Sequence, residues 1–173
     1  MKRFLNVRTL AFPAAALLAV VLSLVLRPGE RADVAALART EPLVWQPTAD
    51  ESVVPRFQSG LARYREGDWS GAAADLSSAL SSLGNSDAGY EVRLYLGICL
   101  LQLGRPEEAA PVLQHAGGSV NRAVSEHACW YRAQAHIQLG QVTEARTLLN
   151  ELSRTSAPYA RPASEQLLLL RGR

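Results

Sequence analysis

Tyr95-Leu96-Gly97-Ile98-Cys99-Leu100-Leu101-Gln102-Leu103-Gly104-Arg105-Pro106-Glu107-Glu108-Ala109 is the stretch on which the fold turns. An apolar run with one small residue at Gly97 is followed by a glycine and then by proline and two carboxylates. That order reads as the end of one helix, a tight turn and the first turn of the next. Glycine takes the left-handed conformation that closes a helix, proline suits a first helical turn, and carboxylates favour a helix N-terminus.

Working outward, the same arrangement recurs. Gly67, Gly104 and Gly140 stand 37 and 36 residues apart. Ala72, Ala109 and Ala145 follow them at a constant distance, then Leu76, Leu113 and Leu149, then Ala79, Ala116 and Leu152. Upstream, Tyr64, Leu101 and Ile137 precede the glycines, then Gly60, Gly97 and Ala133, then Phe57, Leu94 and Trp130. A small residue lets two antiparallel helices approach, and a large one fills the groove beside it. A fixed period of this length marks a repeat array.

The pattern resembles the tetratricopeptide repeat, most clearly in Tyr95-Leu96-Gly97-x-x-Leu100, in Gly104-Arg105-Pro106-Glu107-Glu108-Ala109 with Ala116, and in Trp130-Tyr131-Arg132-Ala133 with Gly140 and Ala145. The resemblance covers about Ser52 to Ser153 and departs from the family at Ser59 and Pro111. It implies an all-α, right-handed solenoid of about three helix-turn-helix repeats with a C-terminal capping helix, because the last repeat would otherwise expose its apolar face. Helices are expected over Ser52–Glu66, Ser70–Ser82, Asp87–Leu103, Pro106–Ala116, Asn121–Leu139, Val142–Arg154 and Ala157–Arg171, with Pro111 bending the fourth.

Ahead of the repeats, Thr9 to Leu26 is eighteen residues without a charge, flanked by Arg8 and by Arg27 with Arg31. That length suits a transmembrane helix. No small-residue cleavage site ends the run, so an uncleaved anchor is favoured over a secreted scaffold released by signal cleavage. Lys2, Arg3 and Arg8 on residues 1–8 keep the N-terminus inside and place the body outside, in the periplasm of a bacterial inner-membrane protein. Residues 27–51, with Pro28, Gly29, Pro42 and Pro47, read as a linker in which Ala35 to Ala38 make one helical turn at most, and 52–173 as the domain.

With those three basic residues set aside, the remaining arginines nearly balance the 16 acidic residues, so nothing points to nucleic acid. Composition, at 48% hydrophobic, 6% aromatic and 20% charged, excludes a disordered tail and a multi-span transporter. Cys99 and Cys129 stand six places apart in the repeat register, about 9 Å along parallel helices, too far for a bridge and better read as two buried thiols. His127, Cys129 and His136 scatter around their helix and make a poor metal site, so neither metal nor cofactor is expected. No nucleophile elbow, zinc-protease, Walker or dinucleotide motif occurs, and Gly117-Gly118-Ser119 reads as a joint between repeats.

The resemblance implies that the first helix of each repeat lines a concave groove. The matching residues are Phe57, Leu61 and Tyr64, then Leu94, Ile98 and Leu101, then Trp130, Gln134 and Ile137. Such a surface suits an extended or helical peptide, and the expected partner is a protein or peptide, besides the lipid bilayer met by residues 9–26. Family members that read a terminal carboxylate use Lys and Asn in this groove, and neither stands at these positions. The expectation is a non-catalytic, membrane-tethered scaffold.

Overall fold

A computed structural model of the chain describes residues 34–43 and 55–172. The expected spanning run at 9–26 lies outside the described residues, as do residues 52–54 of the first expected helix. Among the described residues no helix is long and apolar enough to cross a membrane.

Seven α-helices and no strand make up the described residues: α1 Pro55–Glu66, α2 Trp69–Leu83, α3 Asp87–Gln102, α4 Pro106–Ala116, α5 Arg122–Gln138, α6 Val142–Thr155 and α7 Ala160–Leu169. The starts of α2, α3 and α5 are set by side chains that satisfy the free amides of a first turn. Asp68 accepts from the Gly71 amide at 2.9 Å, Ser86 from Gly89 at 3.1 Å and Asn121 from Ala123 at 3.0 Å. Pro106 opens α4, where no amide is missed. Inside α4, Pro111 removes one backbone donor, yet the helix continues to Ala116.

Each helix packs against the next, and α1 also meets α3 as α3 meets α5. Within the pairs α1–α2, α3–α4 and α5–α6 the turn is the same object made three times. Gly67, Gly104 and Gly140 have φ of 78°, 68° and 71°. The residue after each glycine donates to a carbonyl five back, Asp68 to Arg63, Arg105 to Leu100 and Gln141 to His136, at 3.0, 2.9 and 2.8 Å. Each glycine amide donates three back, to Tyr64, Leu101 and Ile137. These are the two bonds of a Schellman closure, and they need the left-handed residue that only glycine supplies at no steric cost.

Packing repeats as well. An added Cβ on Gly60 would lie 2.8 Å from Leu76 Cγ, and one on Gly97 would meet Leu113 Cγ more closely still. The same column continues as Ala133 and Leu149, both fully buried. Ala72, Ala109 and Ala145 are buried too, so the short residues mark the lines along which helices touch.

The last helix starts later than expected. Ser156 is extended, residues 157–159 turn, and α7 begins at Ala160. Pro158 disfavours a helical backbone at Ala157. Pro162 falls in the first turn of α7, where its missing amide would lack an intrahelical partner anyway.

Candidate peptide groove

α1, α3, α5 and α7 turn a row of polar side chains toward one surface, and the chain's own residues Val34 to Leu43 lie along it. After one turn, in which Leu37 donates to Val34 and Ala38 to Ala35 at 3.0 Å, this strap runs past the helices in reverse order, from α7 to α1. Gln166 on α7 donates its amide to the Leu37 carbonyl at 2.6 Å. Gln134 on α5 accepts from the Arg39 amide at 2.7 Å. Gln102 at the end of α3 donates to the Thr40 carbonyl, and Tyr131 on α5 donates to that of Glu41 at 2.7 Å. Tyr64 on α1 does both for Leu43, its hydroxyl accepting from the amide at 2.7 Å and donating to the carbonyl at 3.2 Å. Every one of these bonds is to main chain. The ion pair of the Arg39 guanidinium with Glu165 at 3.5 Å is the exception. Val34 is buried in the core, with Leu37, Ala38 and Leu43 packed against it.

Of the residues the sequence assigned to a groove, Tyr64 and Gln134 hold the strap directly. Phe57, Leu61, Leu94, Ile98, Leu101 and Ile137 are buried in the hydrophobic core beneath. Trp130 is 7% exposed and stacks on Tyr159, ring centroids 5.1 Å apart, at the joint before α7. Tyr131, Gln102 and Gln166 were missed, as was the strap itself. The legible signal was Gln134, a glutamine in the column otherwise held by Leu61 and Ile98, since an amide in an apolar column must find a hydrogen-bond partner.

Burial raises the Tyr64 and Tyr131 phenols well above their ordinary range, so both stay protonated and able to donate. Burial also pushes the Cys99 thiol up to about 12 and Cys129 up to about 11. Both thiols are free, though Cys129 is half-buried where the sequence suggested full burial, because it sits near the α5–α6 surface beside Glu151 and Leu152. At the α5–α7 joint, His127 Nδ1 lies 2.5 Å from the Tyr159 hydroxyl, and burial lowers the imidazole's pKa. Among the described residues no three His, Cys, Asp or Glu side chains gather as a metal site would need. An open depression of about 680 Å³ lies on another face, between α2, α3 and α4, lined by Ala73, Ser77, Leu100, Glu107 and Pro111.

Neither a known family model nor a curated protein matches the chain.

Proposed function

We propose that the protein is a non-catalytic interaction scaffold whose helices form a right-handed, tetratricopeptide-like solenoid with α7 as its cap, and whose groove binds extended peptide. One observation carries this reading: residues 34–43 of the chain lie along the groove, held by five side chains that bond to their backbone. Main-chain bonding gives affinity with little demand on sequence, as in other modes of extended-peptide recognition. The thrice-repeated glycine closure and the Gly97–Leu113 contact support the repeat assignment.

The apolar run at 9–26 tethers this domain to the inner membrane, with residues 1–8 inside and the groove in the periplasm. Its length and the basic residues before it support the assignment. With the strap seated, only residues 27–33 separate the run from the domain, a reach of at most ~25 Å.

Two experiments test the reading. A photo-reactive residue replacing Gln102 should crosslink a discrete partner in membranes, whereas one replacing the exposed Gln114 on α4 should not. Equal crosslinking at both positions, or none at either, contradicts the scaffold. A reporter fused after Arg173 that is active only in the cytoplasm contradicts the orientation.

A further inference from the structure

The strap fits its groove incompletely. Gln134 accepts through Oε1, which fixes its amide, and Nε2 is then left buried without a hydrogen-bond partner. Gln166 donates through Nε2, and its Oε1 is likewise buried and unpartnered. Both side chains are fully buried, both face the strap, and they have one donor and one acceptor to spare. For Gln166, whose Oε1 lacks an N–H, the strap's own conformation matters. Over Val34 to Ala38 it folds into a turn, and the amides of Leu37 and Ala38 are spent on the carbonyls of Val34 and Ala35. A segment that stays extended there keeps its amides free, and an extended backbone can offer both an N–H and a carbonyl to one carboxamide.

We infer that Val34–Leu43 is a displaceable internal ligand, and that the groove's external ligand is an extended peptide running in the same direction, with an apolar residue where Leu37 lies and an arginine where Arg39 meets Glu165. Such a peptide makes the strap's main-chain bonds and adds an N–H to Gln166 Oε1 and a carbonyl to Gln134 Nε2. The strap is tethered, so it competes at an effective concentration of roughly millimolar and keeps the groove closed to weak ligands. The Arg39–Glu165 pair adds little to this hold, since its side chains are 40% and 45% exposed. The inference rests on the peptide-groove reading above and adds to it what occupies the groove at rest and what must replace it.

The test uses the full chain in detergent and a fluorescent peptide of residues 34–43, Val-Ala-Ala-Leu-Ala-Arg-Thr-Glu-Pro-Leu. Arg39→Ala should raise its affinity at least threefold over the wild-type chain, and Leu37→Asp with Arg39→Ala at least tenfold, with helical circular dichroism unchanged. If the double variant fails to fold, the single one decides. In the opened groove, a peptide N-methylated at its arginine should bind at least tenfold more weakly, because Gln134 loses its donor. One with valines for Ala35 and Ala36 should bind more tightly, because β-branched residues resist the turn. Folded variants that bind the peptide no better than the wild-type chain overturn the inference, as does indifference to N-methylation. A strap exchanged between two copies would appear as a dimer that the double variant dissociates, and that result also overturns it. Crosslinking at Gln102 together with a failed peptide test leaves the scaffold standing and removes only the displaceable strap.

Discussion

At the scale of single residues the fold depends on where side chains are absent. Gly97 faces Leu113 so closely that any Cβ must displace a buried leucine. Gly97→Leu is therefore expected to destabilise the chain by about 1 to 3 kcal/mol through overpacking, read as a lower denaturant midpoint. These positions were legible in the sequence because geometry prescribes them. Only a left-handed residue closes the turn at Gly67, Gly104 and Gly140, and only a short one allows the helix contact at Gly60, Gly97 and Ala133. A second residue-scale prediction concerns His127. Burial lowers its pKa, despite the opposing charge of Glu126, so the folded chain binds a proton there less readily than the unfolded chain. The stability this contributes is fully present above about pH 6.5 and is lost as pH falls through the folded pKa. The melting temperature of the wild-type chain should fall between pH 7 and pH 5 more steeply than that of His127→Gln.

Elements show how much of the candidate site escaped the sequence. The seven helices could be read from capping residues, glycines and apolar spacing; from the end of α1 to the end of α6 their ends differ from expectation by at most one residue, whereas α7 starts at Ala160, after Pro158, and stops at Leu169, two residues short of the expected Arg171. The strap left no such trace. Residues 34–43 have no helical period, contain a proline, and are recognised through backbone atoms that every sequence possesses. The side chains that hold it are spread over four helices, so no local motif unites them. Tyr64→Phe removes both bonds to Leu43 while keeping the ring edge-on against Trp69 and Tyr95. It should cost about 1 to 3 kcal/mol of stability and speed exchange of the Leu43 amide. Trp130→Ala acts on another junction, since its ring stacks on Tyr159 and joins α5 to the segment before α7. A loss of about 3 to 5 kcal/mol in denaturant unfolding is expected there.

For the whole molecule, three turns of one design build a continuous row of helices, and alternate helices in that row present side chains that bond the backbone of the Val34–Leu43 segment. The chain's own upstream segment, Val34–Leu43, lies along that surface and leaves two of its buried polar atoms without partners. In the scaffold proposed above, what lies along the groove sets its state. Amide hydrogen exchange on the full chain tests this most directly. The Arg39 and Leu43 amides should exchange well below the rate of an unstructured peptide, because Gln134 and Tyr64 bind them. They should nonetheless exchange at least tenfold faster than the core amides around Ile98 and Ile137, because the strap opens without global unfolding. Exchange at the unstructured rate would contradict the seated segment, and exchange as slow as the core would contradict a groove that can accept a partner.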